Sequence, residues 1–193
     1  MTDIRPGYAD PDTVRKEFAA IQERVRDWTD RFSAEQFLWA PDARRWSMGQ
    51  CLEHLNKTAS PLPPHMDAAI VKARDAGLTG SPPFKLKWRD RLFVRSVSPG
   101  ARMKIPAPPL FRPGRGDDLD QSKIIQDFIA LQDRLIERLD SAEGLDHSGI
   151  MVRSPLSPLL RLSLAGWFMA TIAHQQRHLN QAQQVSQEDG FPD

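Results

Sequence analysis

The chain has 193 residues, 40% of them hydrophobic and 26% charged, with a formal net charge of +1. These proportions suit a globular protein and argue against a nucleic-acid protein that binds through its overall charge. Cys51 is the single cysteine, which excludes an intrachain disulfide and removes any gain from an oxidising compartment.

No composition shift divides the sequence, so one domain over residues 1–193 is expected. The start, Met1 to Tyr8, lacks an apolar run of signal-peptide length. The longest apolar stretch, Leu156 to Ala173, is interrupted by Ser157, Pro158, Arg161 and Ser163 and is too broken to span a bilayer. The expectation is a cytoplasmic protein with no membrane and no nucleic-acid partner.

Val14, Phe18, Ile21, Val25, Trp28 and Phe32 recur at alternating steps of four and three, which predicts an amphipathic helix over about residues 11–32. Asp10 or Asp12 caps its start, and Pro11 suits the first turn. Ser33 to Pro41 reads as a short helical turn ended by the proline. Ser47 and Gln50 form a capping box that opens a second helix over about 48–76, and Pro61, Pro63 and Pro64 should kink or break it. Between Gly80 and Gly116 the chain is rich in proline and basic residues, with Asp90 the single acid. Trp88, Leu92, Phe93 and Val97 predict one short helix inside this long crossover, which is expected to pack over one end of the fold. Ile124, Phe128, Leu131, Leu135 and Leu139 mark a third long helix, capped by Asp118 or Asp120 and followed by Gly144. Residues 145–158 read as a loop and about 159–187 as a fourth helix; no segment alternates convincingly enough to predict a strand, so the class is all-α.

The fourth helix carries His174 and His178, four residues apart and on the face shared by Leu160, Trp167, Thr171, Gln181 and Val185. Imidazoles at this spacing have Cβ atoms ~5–6 Å apart and can share one ion. A zinc-type catalytic site takes three protein ligands and leaves a position open. His54, on the flank of the Met48, Leu52 and Leu55 stripe, is the third candidate. An H-x-x-x-H pair alone is a common accident, and without the glutamate of H-E-x-x-H it argues against a metalloprotease. His65 and His147 receive no role, Cys51 reads as a small buried hydrophobe, and Trp28, Trp39, Trp46 and Trp167 as core and junction packing. The basic stretch 85–115 is either a solvated loop or an anion-attracting rim.

Leu38-Trp39-Ala40-Pro41, Trp46-Ser47-Met48-Gly49-Gln50-Cys51-Leu52-Glu53-His54-Leu55 and His174-Gln175-Gln176-Arg177-His178-Leu179-Asn180-Gln181, with Lys104-Ile105-Pro106-Ala107-Pro108 and Phe111-Arg112-Pro113 between them, resemble the DinB-like superfamily over nearly the whole chain. The resemblance implies a four-helix bundle of up-down-down-up order with a long crossover between helices two and three. It implies a metal triad of His54, His174 and His178 holding nickel, zinc or another divalent ion, and a homodimer. Characterised members include thiol-cofactor transferases using bacillithiol, mycothiol or glutathione and a mycothiol-dependent maleylpyruvate isomerase. Gln50 stands where the family often has glutamate; it can close the capping box but brings no charge toward the metal.

The expected function is therefore that of a divalent-metal-dependent S-transferase or hydrolase. A metal-bound water or thiol serves as nucleophile, Gln181 lines the cavity, and basic residues of the crossover hold carboxylates of a thiol cofactor. Glu53 neighbours His54 but is expected to point elsewhere, so no side chain is assigned as base. The alternative is a non-catalytic metal-binding stress-response dimer. A nucleic-acid binder using the basic crossover ranks last.

Overall fold

A computed structural model describes residues 7–101, 108–115, 118–155, 157 and 159–193. The Met1–Pro6 start, Arg102, the Lys104–Ala107 part of the middle motif, Gly116, Leu156 and Pro158 lie outside the described residues.

The chain is mostly helical. Helix α1 (Pro11–Arg31) is capped by the Asp10 carboxylate, which accepts from the Thr13 amide, and it buries the predicted stripe from Val14 to Trp28. Helix α2 (Ala34–Leu38) opens on a Ser33–Gln36 capping box and buries Phe37. Helix α3 (Met48–Ala59) opens on the Ser47–Gln50 box. The predicted second helix breaks after Ala59 and resumes as α4 (Leu62–Asp75). Pro61, Pro63 and Pro64 fall at the cap and first turn of α4, where an amide N–H has no intrahelical acceptor to lose.

The crossover holds the expected short helix, α5 (Trp88–Val97), and a 3-10 turn at Pro109–Phe111. Its expected position over one end of the fold is corrected: α5 lies along the last helix, and the 3-10 turn rests on α3. Helix α6 (Gln121–Ser141) is capped by Asp120. Helix α7 (Leu164–Val185) begins later than expected, because Arg161–Ser163 form a strand, β4, antiparallel to β3 (Met151–Arg153). A second ladder pairs β1 (Tyr8–Ala9) with β2 (Phe84–Lys85). Strands of two or three residues are too short to show alternation, which is why the sequence predicted none.

The core lies where α3 packs on α6 and α7, and α1 packs on the same two helices. Phe18 of α1 meets Phe168 of α7 edge to face, with centroids 6.2 Å apart, and Phe128, Leu52 and Leu135 are fully buried. Each such side chain contributes about 1.5–3 kcal/mol by leaving water.

Asp90 fixes where α5 and α7 begin. Its carboxylate, 1% exposed, accepts from the Lys87 amide at 3.1 Å, the Ser163 amide at 3.0 Å and the Ser163 hydroxyl at 2.6 Å. Ser163 in turn caps α7 by accepting from the Gly166 amide. A Cβ on Gly166 would stand 2.6 Å from the Asp90 carboxyl carbon, so this close approach requires glycine.

Candidate metal centre

Helix α3 presents His54, and α7 presents His174 and His178 one turn apart. A ligand nitrogen from each lies within 4.8 Å of the other two. The ring centroids of His54 and His178, and of His174 and His178, are 4.7 Å apart; those of His54 and His174 are 5.2 Å apart. His54 is 5% exposed, while His174 and His178 are half-buried at the edge of a cavity.

Two hydrogen bonds decide which nitrogens face inward. His54 Nδ1 donates to the Phe111 carbonyl at 2.7 Å, which leaves Nε2 with its lone pair, 3.4 Å from His174 Nε2. His178 Nδ1 donates to Gln181 Oε1 at 3.0 Å and so keeps its own Nε2 unprotonated. Imidazole nitrogens bound to one tetrahedral ion at ~2.0–2.1 Å stand roughly 3.3 Å apart. The 3.4 Å approach matches that geometry, and the three rings can hold a metal ion.

The site disfavours the charged form of all three imidazoles, and the neutral ring is the form that ligates. Burial is the main cause of lowered pKa at His174, which lies well below the ordinary value, with the charges of His178, His54 and Arg177 acting the same way. Burial and then His54 push His178 down to about 4. Burial also lowers His54, against the Phe111 carbonyl, which favours the charged ring.

Helix α3 also grips the segment that orients His54. Gln50 Nε2 donates to the Gly114 carbonyl at 2.9 Å, Glu53 Oε2 accepts from the Gly114 amide at 2.6 Å, and Lys57 Nζ donates to the Arg112 carbonyl at 3.1 Å. Glu53 and Lys57 pair at 2.8 Å. The expectation that Glu53 points elsewhere holds as regards the imidazoles, but its target was missed: residues 50, 53, 54 and 57 share one helical face and bind the 111–114 strap. That spacing was visible in the sequence; the free backbone groups of a distant proline-rich segment, which it satisfies, were not. Gln50 accordingly serves the strap as well as the capping box.

Trp46, expected only to pack at a junction, lies against two rings of the triad. It stacks on His178 with centroids 5.8 Å apart and lies 4.9 Å from His54. Beside the rings opens a cavity of about 320 Å³. Gln181, expected to line it, is absent from the described wall and orients His178 instead. The basic crossover is corrected in the same way. Lys85, Lys87, Arg89, Arg91, Arg95, Arg112 and Arg115 are exposed and none lines the cavity, whose described wall takes its cation from Arg177 of α7. His147, left without a role, is buried away from the triad, stacked on Phe84 at 4.4 Å and donating from Nε2 to the Ala142 carbonyl. His65 is exposed on α4.

A family model described as the DinB superfamily matches residues 17–182. No curated protein and no solved structure matches the chain. No helix among the described residues is long and apolar enough to cross a membrane.

Proposed function

The chain belongs to the DinB superfamily, and from that premise we propose that it is a divalent-metal-dependent enzyme, a thiol-cofactor S-transferase or a hydrolase, with His54, His174 and His178 as ligands to nickel or zinc. The observation that carries the reading is the meeting of three imidazoles, from two separate stretches of chain, at the edge of a cavity. We read α1, the α3–α4 pair, α6 and α7 as the four members of an up-down-down-up bundle in a single cytoplasmic domain that assembles as a homodimer, as the family implies.

An ion held by three neutral imidazoles keeps its full double charge and draws the pKa of a water or thiol bound to it toward neutrality. The protein's part is positional. The Phe111 carbonyl and Gln181 fix the ring orientation of His54 and His178, and Trp46 lies against both rings. Arg177 adds positive charge at the cavity wall, which favours an anionic group there. The number of ligands favours catalysis over the non-catalytic alternative. A structural zinc site is closed by four protein ligands, and the cluster among the described residues has three.

Elemental analysis of protein purified without an affinity tag is expected to find about one divalent ion per chain. His174→Ala should abolish that ion and leave the helical circular-dichroism signal intact; stoichiometric metal in this variant removes His174 from the ligand set. Activity is tested by thiol consumption with a panel of electrophiles, and by ester and amide hydrolysis, in metal-loaded and chelated protein. Equal rates in the two forms would end the metal-enzyme reading.

A further inference from the structure

The cavity beside the triad is walled by Leu55, Leu62, Phe93, Val97, Leu160 and Trp167. Polar side chains are present too, but several of their hydrogen-bonding groups are engaged elsewhere or buried behind the wall. The Thr58 hydroxyl bonds the His54 carbonyl at 2.9 Å and the Leu55 carbonyl at 3.1 Å, within its own helix. The Ser96 hydroxyl donates to the Phe93 carbonyl at 2.7 Å. Trp167 Nε1 donates to the Val152 carbonyl at 3.1 Å and turns its ring toward the space. The Gln175 amide atoms have no hydrogen-bond partner, but they are buried out of a ligand's reach, the residue being 1% exposed. Thr171 adds one small hydroxyl to the wall, and Arg177 is the one cation among the described wall residues. One of its donors reaches the Ser96 carbonyl at 3.3 Å, which leaves most of a guanidinium's five for another partner.

A ligand rich in hydroxyl or amide groups would give up its water there and find few replacements, which is costly. An apolar body loses nothing comparable and gains from burial. At the ~30 Å³ that a water-sized group occupies in a condensed phase, a cavity of about 320 Å³ takes about ten non-hydrogen atoms.

Resting on the metal-enzyme reading, we infer that this cavity receives an apolar small molecule of about ten non-hydrogen atoms whose single oxyanion head lies between the imidazole triad and Arg177. This molecule is the partner on which the thiol or water acts. The thiol cofactor itself, polar over most of its length, has its place outside the apolar wall.

The test is calorimetric titration of the zinc-loaded full chain with n-alkyl hydroxamates from acetyl to decanoyl. Affinity is expected to tighten about fourfold per added methylene, and to level off near the heptanoyl compound as the cavity fills. An affinity that does not change with chain length overturns the inference. Acetohydroxamate, which has almost no tail, reads the metal alone. If it binds equally to zinc-loaded and His174→Ala protein while the chain-length slope persists, the apolar receptor stands and the metal reading falls. In Val97→Asp, a partly exposed wall position, the slope should collapse with zinc content unchanged; a slope equal to that of the parent protein places the tail elsewhere and overturns the inference.

Discussion

The three histidines behave as a group because the fold keeps protons off them. Unfolded imidazoles titrate near 6.5, whereas folded His178 is pushed down to about 4 by burial and by His54. Between those values the unfolded chain binds more protons than the folded one. The metal-free protein therefore loses stability as pH falls through this window, and the His178 contribution levels off once the folded ring also protonates below about 4. For His178 the loss amounts to about 3 kcal/mol at most. Denaturant midpoints of chelated protein at pH 7 and pH 4.5 measure it; the drop should shrink in His178→Gln, and equal midpoints in the parent protein would contradict the shift. At this scale the sequence told much about the triad. His174 and His178 at a four-residue spacing on an apolar face pointed to one another. His54 was legible as a candidate because of its flank position and became a member only through the family motif. Trp46 was not legible as a neighbour of the rings, since nothing in local spacing says which distant imidazole an indole will stack upon.

Among the elements, the 111–114 strap matters most to the site. Gln50, Glu53, His54 and Lys57 hold its backbone, and the strap returns one carbonyl to His54. Groups that orient metal-ligating histidines typically change metal affinity 10–100-fold when removed. Glu53→Ala deprives the Gly114 amide of its acceptor and is expected to weaken zinc binding by about that range, with the helical signal unchanged. Glu53→Gln keeps an acceptor and should restore part of the loss. Competition with a chromophoric chelator reads both variants, and parental affinity in Glu53→Ala would uncouple the strap from the site. Helix starts were legible because their signals are local: Ser47 caps as predicted, and Asp10 and Asp120 each prove to be the cap of two candidates, while the Ser33 cap of α2 went unread. The break at Pro61 was legible for the same reason. The start of α7 was not, because Leu162 and Ser163 belong to a ladder whose partner, β3, lies about ten residues earlier. The Asp90 tie to Ser163 spans still more of the chain.

For the whole molecule, composition and periodicity were enough to call the chain mostly helical with one core, and they said little about where the crossover goes. Proline and basic residues suggested a loop over one end. Packing instead set α5 against α7, with Phe93 and Val97 turned to the cavity and Arg89, Arg91 and Arg95 of α5 exposed. Burial explains that choice, because α7 is apolar around most of its first ten residues and needs cover on a side that α1 and α3 do not reach.

Cys51, fully enclosed on the inner face of α3, has its thiol pushed up to about 12 by burial. Sulfhydryl reagents should leave the native molecule unlabelled and react stoichiometrically once it is denatured, as a colorimetric titration would show. A cysteine planted on the surface would thus be a unique attachment point for a dye. The buried sulfur works as a tamper seal: oxidised Cys51 in an aged sample records that the molecule has at some time come apart.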